Sequence, residues 1–365
     1  YPPKRLGSLV GRRITPFPIS RAGQCTVPAP GFRDLALTWR IALSQLKSLE
    51  TYLSLMNTNA VVHAFRTASQ LGILDALADG QKTAPQLAEI CQVAEKPVEL
   101  LLNVLTTVGV VERYREDFAM APVMHLLPLA YRDLGDYAWQ HLAGYVRSGV
   151  PIPQVPEIPL DDSDFFSEIE TTMWQLTPSA LEVAHLLDVG ATRCGMRILE
   201  LSAGSAVWSL SIAHADPDCQ ITLVDEAALL ERGRTHAESI GVADRVTCVP
   251  GDYRNVDLPA GQYDLAIMAN VAHRHNPEEM VSLLKQVHTW LAPQGELALI
   301  DVFSGQAGGE MQFAVFCLSV ALRTNGQVHS PEALQDMIQA GGFQKPQSAH
   351  MKVQQHTMGL LLAGK

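Results

Sequence analysis

From Arg197 onward, strand-like runs alternate with helical ones, and this alternation restricts the fold more than any other feature of the chain. Strands are expected at Ile198–Leu201, Gln220–Asp225, Arg245–Val249, Tyr263–Ala269 and Glu296–Phe303, with helices at 206–214, 227–240, 277–291 and 331–341. Such alternation implies crossover connections and a mostly parallel sheet with helices on both faces. Two more strand-like runs, Gln347–Val353 and Thr357–Ala363, follow with no helix between them. They must pair as a hairpin, which puts one antiparallel strand into a seven-stranded, Rossmann-like α/β sheet.

The N-terminal half reads differently. Residues 57–127 suggest short helices followed by a small hairpin. Ala60, Phe65, Ala68 and Leu71 form an apolar face closed by Gly72, and Thr83 is placed to cap a short helix over Pro85–Cys91. A longer helix is expected over Lys96–Val108, with Leu100, Leu101, Val104, Leu105 and Val108 on its inner face and Gly109 at its end. Val110–Arg113 and Asp117–Met120 then read as two small strands, completing a mainly α winged-helix arrangement. Winged helices often bind DNA, but the recognition helix here carries Glu95, Lys96 and Glu99, so the phosphate attraction that dominates such binding is missing. Residues 128–190, with Trp139, Tyr145, Trp174 and the proline-rich break Pro151–Pro159, read as a helical linker and lid. The expected organisation is a leader over 1–55, a winged-helix domain over 56–127, the linker and lid over 128–190, and the catalytic domain over 191–365.

Composition narrows the function. With 47% hydrophobic and 18% charged residues the chain belongs with folded, soluble proteins and outside the disordered class. A net charge of −11 argues against a nucleic-acid or anionic-membrane partner. The longest apolar runs, such as Leu265–Ala272 and Leu297–Phe303, suit buried strands and are too short to span a bilayer. Six scattered cysteines without a CxxC pair form neither a zinc knuckle nor a disulfide framework, so a reducing cytoplasm is expected. The stretch to Gly31 is rich in Pro, Gly and Arg, including Arg12, Arg13 and Arg21. It reads as a disordered leader outside the core fold, with a transit peptide as the alternative. Trp39, Leu43, Leu46, Leu49 and Leu53 predict a helix within 34–55.

The residues with chemical potential lie at the carboxyl ends of the strands. The first strand runs through Glu200 into the small-residue turn Ser202-Ala203-Gly204-Ser205-Ala206 and a helix, where backbone amides and the helix dipole can meet a ligand. The second ends in Asp225, an acid suited to both hydroxyls of a ribose or, alternatively, to capping the next helix. The third leads to Asp252 and Tyr253, and the fourth to Asn270, His273 and His275. The two histidines invite a metal, but no third ligand is evident and no metal is expected.

Together these residues resemble the class I S-adenosylmethionine-dependent methyltransferases, specifically the small-molecule O-methyltransferase family, from about Asn59 to the C-terminus. "TASQLGILDALADGQKTAPQLAEICQVAEKPVELLLNVLTTVGVVER" looks like the family's winged-helix dimerisation domain, and "ILELSAGSAVWSLSIA" occupies the place of its glycine-rich motif. "ITLVDEAALLERGRTHAESIGVADRVTCVPGDYRNVDLP" and "VAHRHNPEEMVSLLKQVHTWLAPQGELALIDVF" are similar to the motifs that follow. The resemblance implies a homodimer and methyl transfer from S-adenosylmethionine to a hydroxyl of a small aromatic or polyketide-like molecule. It puts Glu200, Ser202, Gly204 and Asn270 beside the cofactor, Asp225 on its ribose, and Asp252 with Tyr253 on its adenine. It makes His273 the general base, oriented by Asp301, with His275 outside the chemistry. The chain departs from the family at Ser202, Ala203 and Ala206, which stand for glycines, and at Arg274 and Val328, which stand for acids in plant members. The altered turn keeps a second reading open, a methyltransferase-like protein that binds cofactor or metabolite in a regulatory role without transfer.

Overall fold

The computed structural model describes residues 32–126, 134, 136–154, 176–304, 310–353 and 356–365. The described residues fall into two compact units that part between His63 and Ala64. The expected leader up to Gly31 lies outside them, as does Trp174 of the expected linker and lid.

One helix, α1 (Phe32–Gln70), runs without a break through residues 55 and 56. After it come α2 (Ile73–Ala78), α3 (Ala84–Ile90), α4 (Glu95–Thr107) and, ahead of the larger sheet, α5 (Leu142–Ser148). Thr83 and Gln86 close a reciprocal capping box at the start of α3, satisfying two backbone N–H groups. Strands β2 (Val111–Tyr114) and β3 (Asp117–Met120) pair antiparallel, with the short β1 (Lys82–Thr83) on the outer side of β3. The face expected to turn inward on α4 is corrected here. The helix buries Val98, Leu102 and Leu105, while Leu100, Val104 and Val108 are exposed. Apolar residues occupy two faces of α4, and periodicity alone cannot tell which one meets the module's own core.

The larger sheet has the order β6-β5-β4-β7-β8-β10-β9. Its strands are β4 (Arg197–Leu201), β5 (Gln220–Asp225), β6 (Val246–Pro250), β7 (Tyr263–Ala269), β8 (Leu291–Val302), β9 (Gln347–Val353) and β10 (His356–Gly364). All neighbouring pairs are parallel except β8–β10 and β10–β9, so β10 alone runs against the rest. Successive residues alternate between two core layers. Ile198, Leu265 and Ile267 face a layer completed by α6 (Val207–Ala215) and α7 (Ala227–Ser239). Leu199, Leu201, Ala266 and Met268 face the opposite layer, completed by α8 (Pro277–Trp290) and α10 (Pro331–Ala340). Met268 is fully buried in this second core.

Two elements differ from expectation. Strand β8 begins at Leu291, where it pairs with Tyr263 ahead of a register shift, and the turn-forming Pro293 and Gly295 inside it conceal its first half. The helix α9 (Glu310–Arg323) goes unread in the sequence because its apolar residues, 313–318 and 320–322, are almost unbroken and show no period. Among the described residues no helix is long and apolar enough to cross a membrane.

Candidate active site

The strand order reverses between β4 and β7, and a reversal of this kind opens a crevice at the carboxyl ends of the strands. Most of the residues singled out in the sequence stand around it.

The turn after β4 keeps a glycine-like backbone path despite its substitutions. Ser202, Gly204 and Ala206 all have left-handed φ values, of 52°, 53° and 57°. The two non-glycine residues there cost on the order of 1 kcal/mol each. Ala203 and Ala206 are buried in the core layer beneath the turn, so their methyl groups face away from the crevice. Of the three substitutions only Ser202 presents its side chain to a neighbour across the crevice, accepting a 3.0 Å hydrogen bond from the Arg274 guanidinium.

Glu200 is buried, and its carboxylate accepts from the Ser209 amide at 3.0 Å, capping α6 from the neighbouring strand. Burial pushes its pKa up to about 7, opposed by the Ser209 hydrogen bonds. The unfolded chain releases this proton near pH 4.3. Between there and pH 7 the folded state holds more protons than the unfolded state, so this group's contribution to stability falls as pH rises through that window. Glu200→Gln removes the titration. In ligand-free protein its stability relative to wild type is expected to rise by about 3 kcal/mol between pH 4.5 and 7.5. Urea unfolding at both pH values measures this, and a difference independent of pH would mean that Glu200 is already ionised in the folded state.

Asp225 closes β5. Its carboxylate accepts from Gly204 N and Glu226 N, both at 2.8 Å, and burial raises its pKa. It does not cap α7, since neither amide is the second or third of that helix and the N-cap residue is Glu226. Asp225 is thus fastened to the turn after β4, with its remaining lone pairs available at the strand end. Asp252 carries a partner of its own, the Arg254 guanidinium at 2.6 Å, which lowers its pKa. Tyr253 Oη lies 2.9 Å from His275 Nε2. Asn270 also takes a left-handed φ of 57°, and its amide donates to Ile300 O, tying the end of β7 to β8.

Beyond Asn270 a short 3-10 turn, Ala272–Arg274, presents His273. Its Nδ1 lies 2.6 Å from Asp301 Oδ1, and its own amide donates to Asp301 Oδ2 at 3.1 Å. Asp301 is fully buried and also accepts from Val302 N. An acceptor-only carboxylate at Nδ1 assigns the proton to that nitrogen and leaves Nε2 as the basic one. The ring is 15% exposed and meets Phe316 of α9 edge-on at 5.5 Å. His275 is directed elsewhere. It is buried, sits between Tyr253 and Glu279, and burial lowers its pKa. The structure therefore brings His273 and Asp301 together and holds His275 apart from them.

Two residues near the site escaped the sequence reading. Gly326 packs so closely on the 3-10 turn that a Cβ there would lie 2.1 Å from His273 O and 2.4 Å from Arg274 C. The buried His329 donates through Nε2 to His275 O at 3.0 Å. The dipeptide Asn325-Gly326 signals a turn, but nothing in it reveals which backbone the turn abuts.

The strand order, with its one antiparallel strand, is the one that the resemblance to class I S-adenosylmethionine-dependent methyltransferases implies. A model of the O-methyltransferase domain matches residues 161–344, and one of the O-methyltransferase dimerisation domain matches residues 53–130. The chain belongs to the O-methyltransferase family. It is 25% identical over 273 residues to the mitomycin biosynthesis 6-O-methyltransferase of Streptomyces lavendulae, covering 65% of this chain and 73% of that one. It is 26% identical over 307 residues to the aclacinomycin 10-hydroxylase RdmB of Streptomyces purpurascens, covering 77% and 80%. The solved mitomycin 7-O-methyltransferase MmcR superposes with a TM-score of 0.71 at 20% identity, over 89% of this chain and 100% of that one, a likeness of fold.

Proposed function

We propose that the protein transfers a methyl group from S-adenosylmethionine to a hydroxyl of a small aromatic or polyketide-like molecule, with His273 as general base. The observation that carries this reading is the His273–Asp301 pair at the edge of the sheet, its ring against Phe316. The cofactor's sulfonium supplies an electrophilic methyl group. Asp225 accepts from the ribose, Asp252 and Tyr253 flank the adenine, and Glu200, Ser202, Gly204 and Asn270 line the methionine end. His273 Nε2 takes the proton of the attacking hydroxyl. A phenol titrates near 10, and general-base help of this sort contributes about 10²–10⁴-fold. Asp301 holds the ring in the productive tautomer and balances the imidazolium that forms. Residues 56–127 act as the dimerisation module, 128–190 as linker and lid, and 191–365 as the catalytic domain. The free thiols among the described residues suit a cytoplasmic home.

The homodimer follows from apolar surface. On α1, Leu46, Leu49, Leu53 and Met56 are all about half exposed, and on α4 so are Leu100 and Val108. A self-complementary interface is the usual way to cover such rows. Light scattering at micromolar concentration is expected to give twice the 39.8 kDa of one chain, and a monomer mass contradicts the proposal.

Incubation with methyl-labelled S-adenosylmethionine and a panel of phenols and hydroxylated polyketides tests the reaction. Label in at least one hydroxyl compound is the expected result. If the protein binds S-adenosylhomocysteine yet labels none of the panel, the second reading gains. The hydroxylase among the chain's relatives favours that reading, in which the fold keeps its cofactor site without transferring methyl.

A further inference from the structure

Arg274 is next to the proposed base in sequence but faces the other way. In a 3-10 turn each residue advances by about 120°, so while His273 turns to Asp301 and Phe316, Arg274 reaches back over the turn after β4. Its recorded hydrogen bond is to Ser202 Oγ at 3.0 Å, and among the described residues no carboxylate pairs with it. The guanidinium has five N–H donors in a planar fork that fits a carboxylate, and one bond to a hydroxyl leaves most of that capacity unused.

The surroundings say what it lacks. The amides at this corner are already taken by the protein's own acids, Ser209 N by Glu200 and Gly204 N by Asp225. A ligand's anionic group arriving at the turn therefore finds those donors occupied, and Arg274 is the cation directed there. Its field reaches the crevice, where it acts on Asp225 and Tyr253. With Asp225 given to the ribose, the acid and the cation left at this turn, Glu200 and Arg274, match a zwitterion, which S-adenosylmethionine carries at its amino-acid end.

We propose that Arg274 binds the α-carboxylate of the cofactor, an anchor this chain places where plant relatives of its family carry an acid. The assignment rests on the S-adenosylmethionine reading above. It assigns Ser202 the task of aiming the guanidinium, so the serine replacing a glycine and the arginine replacing an acid form one device.

The test compares two ligands that share adenosine and sulfur and differ in the amino-acid tail. S-adenosylhomocysteine has the carboxylate, whereas 5′-methylthioadenosine lacks it. Calorimetry on wild type, Arg274→Met and Arg274→Lys reads the difference, with thermal unfolding to verify that each variant is folded. Arg274→Met is expected to weaken S-adenosylhomocysteine binding about 10- to 100-fold and to leave 5′-methylthioadenosine binding within about twofold. Arg274→Lys, a point charge without the fork, is expected to fall between wild type and Met. Equal losses for both ligands would overturn the proposal and make Arg274 a brace for the turn, with the cofactor reading intact. Unchanged binding of S-adenosylhomocysteine would also overturn it. If wild type binds neither ligand at millimolar concentration, the cofactor reading itself fails and the anchor with it.

Discussion

His273→Ala is expected to lower methyl-transfer turnover by about 10²–10⁴-fold, the range of a positioned general base, while S-adenosylhomocysteine affinity stays within about twofold. The split between rate and affinity follows from what the ring touches. Its Nδ1 is committed to Asp301 and its edge to Phe316, so the imidazole adds little to cofactor binding and acts on the proton of the incoming hydroxyl. Asp301→Asn is expected to be intermediate in rate, because an amide can donate to Nδ1 and so favour the wrong tautomer. His275→Ala is expected to cost little in rate, since that ring is buried between Tyr253 and Glu279. Single-turnover kinetics with a labelled substrate gives all three numbers, and wild-type turnover in His273→Ala near neutral pH would remove the base from the mechanism.

Gly326→Ala is expected to lower turnover by about 10²-fold through position alone. The added methyl group would stand 2.1 Å from His273 O and 2.4 Å from Arg274 C, both backbone atoms that no rotamer change can move aside. Either the segment before α10 or the turn that carries the base must shift by roughly an ångström, and a misplacement of that size can cost such a factor. Arg274 rides on the same turn, so S-adenosylhomocysteine affinity is expected to fall as well, by at most the roughly 10- to 100-fold expected for removing that guanidinium. Kinetics and calorimetry on one preparation separate the two effects. Equal turnover in variant and wild type would show that the segment before α10 yields without disturbing His273.

Much of the catalytic half was legible because most of its elements have a clear period or a short apolar run bounded by turn residues. The five parallel strands are short apolar runs ended by turn residues, and the expected hairpin 347–363 is the pair β9–β10 in the structure. The cap at Thr83 follows from a residue type that bonds exposed helical amides. What stayed hidden depends on three-dimensional neighbours. The apolar run of α9 is almost unbroken and gives no period, yet the segment is helical. The burial of the Ala203 and Ala206 methyl groups beneath the turn is set by the core layer they meet, so a loss of glycines that looks damaging in one dimension leaves the backbone path intact. Asp301 was placed by resemblance alone. That its two oxygens take both the amide and the ring of His273 is a matter of geometry no local pattern encodes.

The pairing of β8 with β10 bears on when the site comes into being. Asp301 stands directly opposite Gly359 in that ladder, and the missing side chain at Gly359 is what leaves room for the ring of Phe303, since a Cβ there would lie 2.0 Å from it. The strand that carries the orienting carboxylate is thus flanked on one side by a segment made far later in the chain. On a growing chain β10 is made after β8, so Asp301 lacks this neighbour until the C-terminal hairpin has emerged.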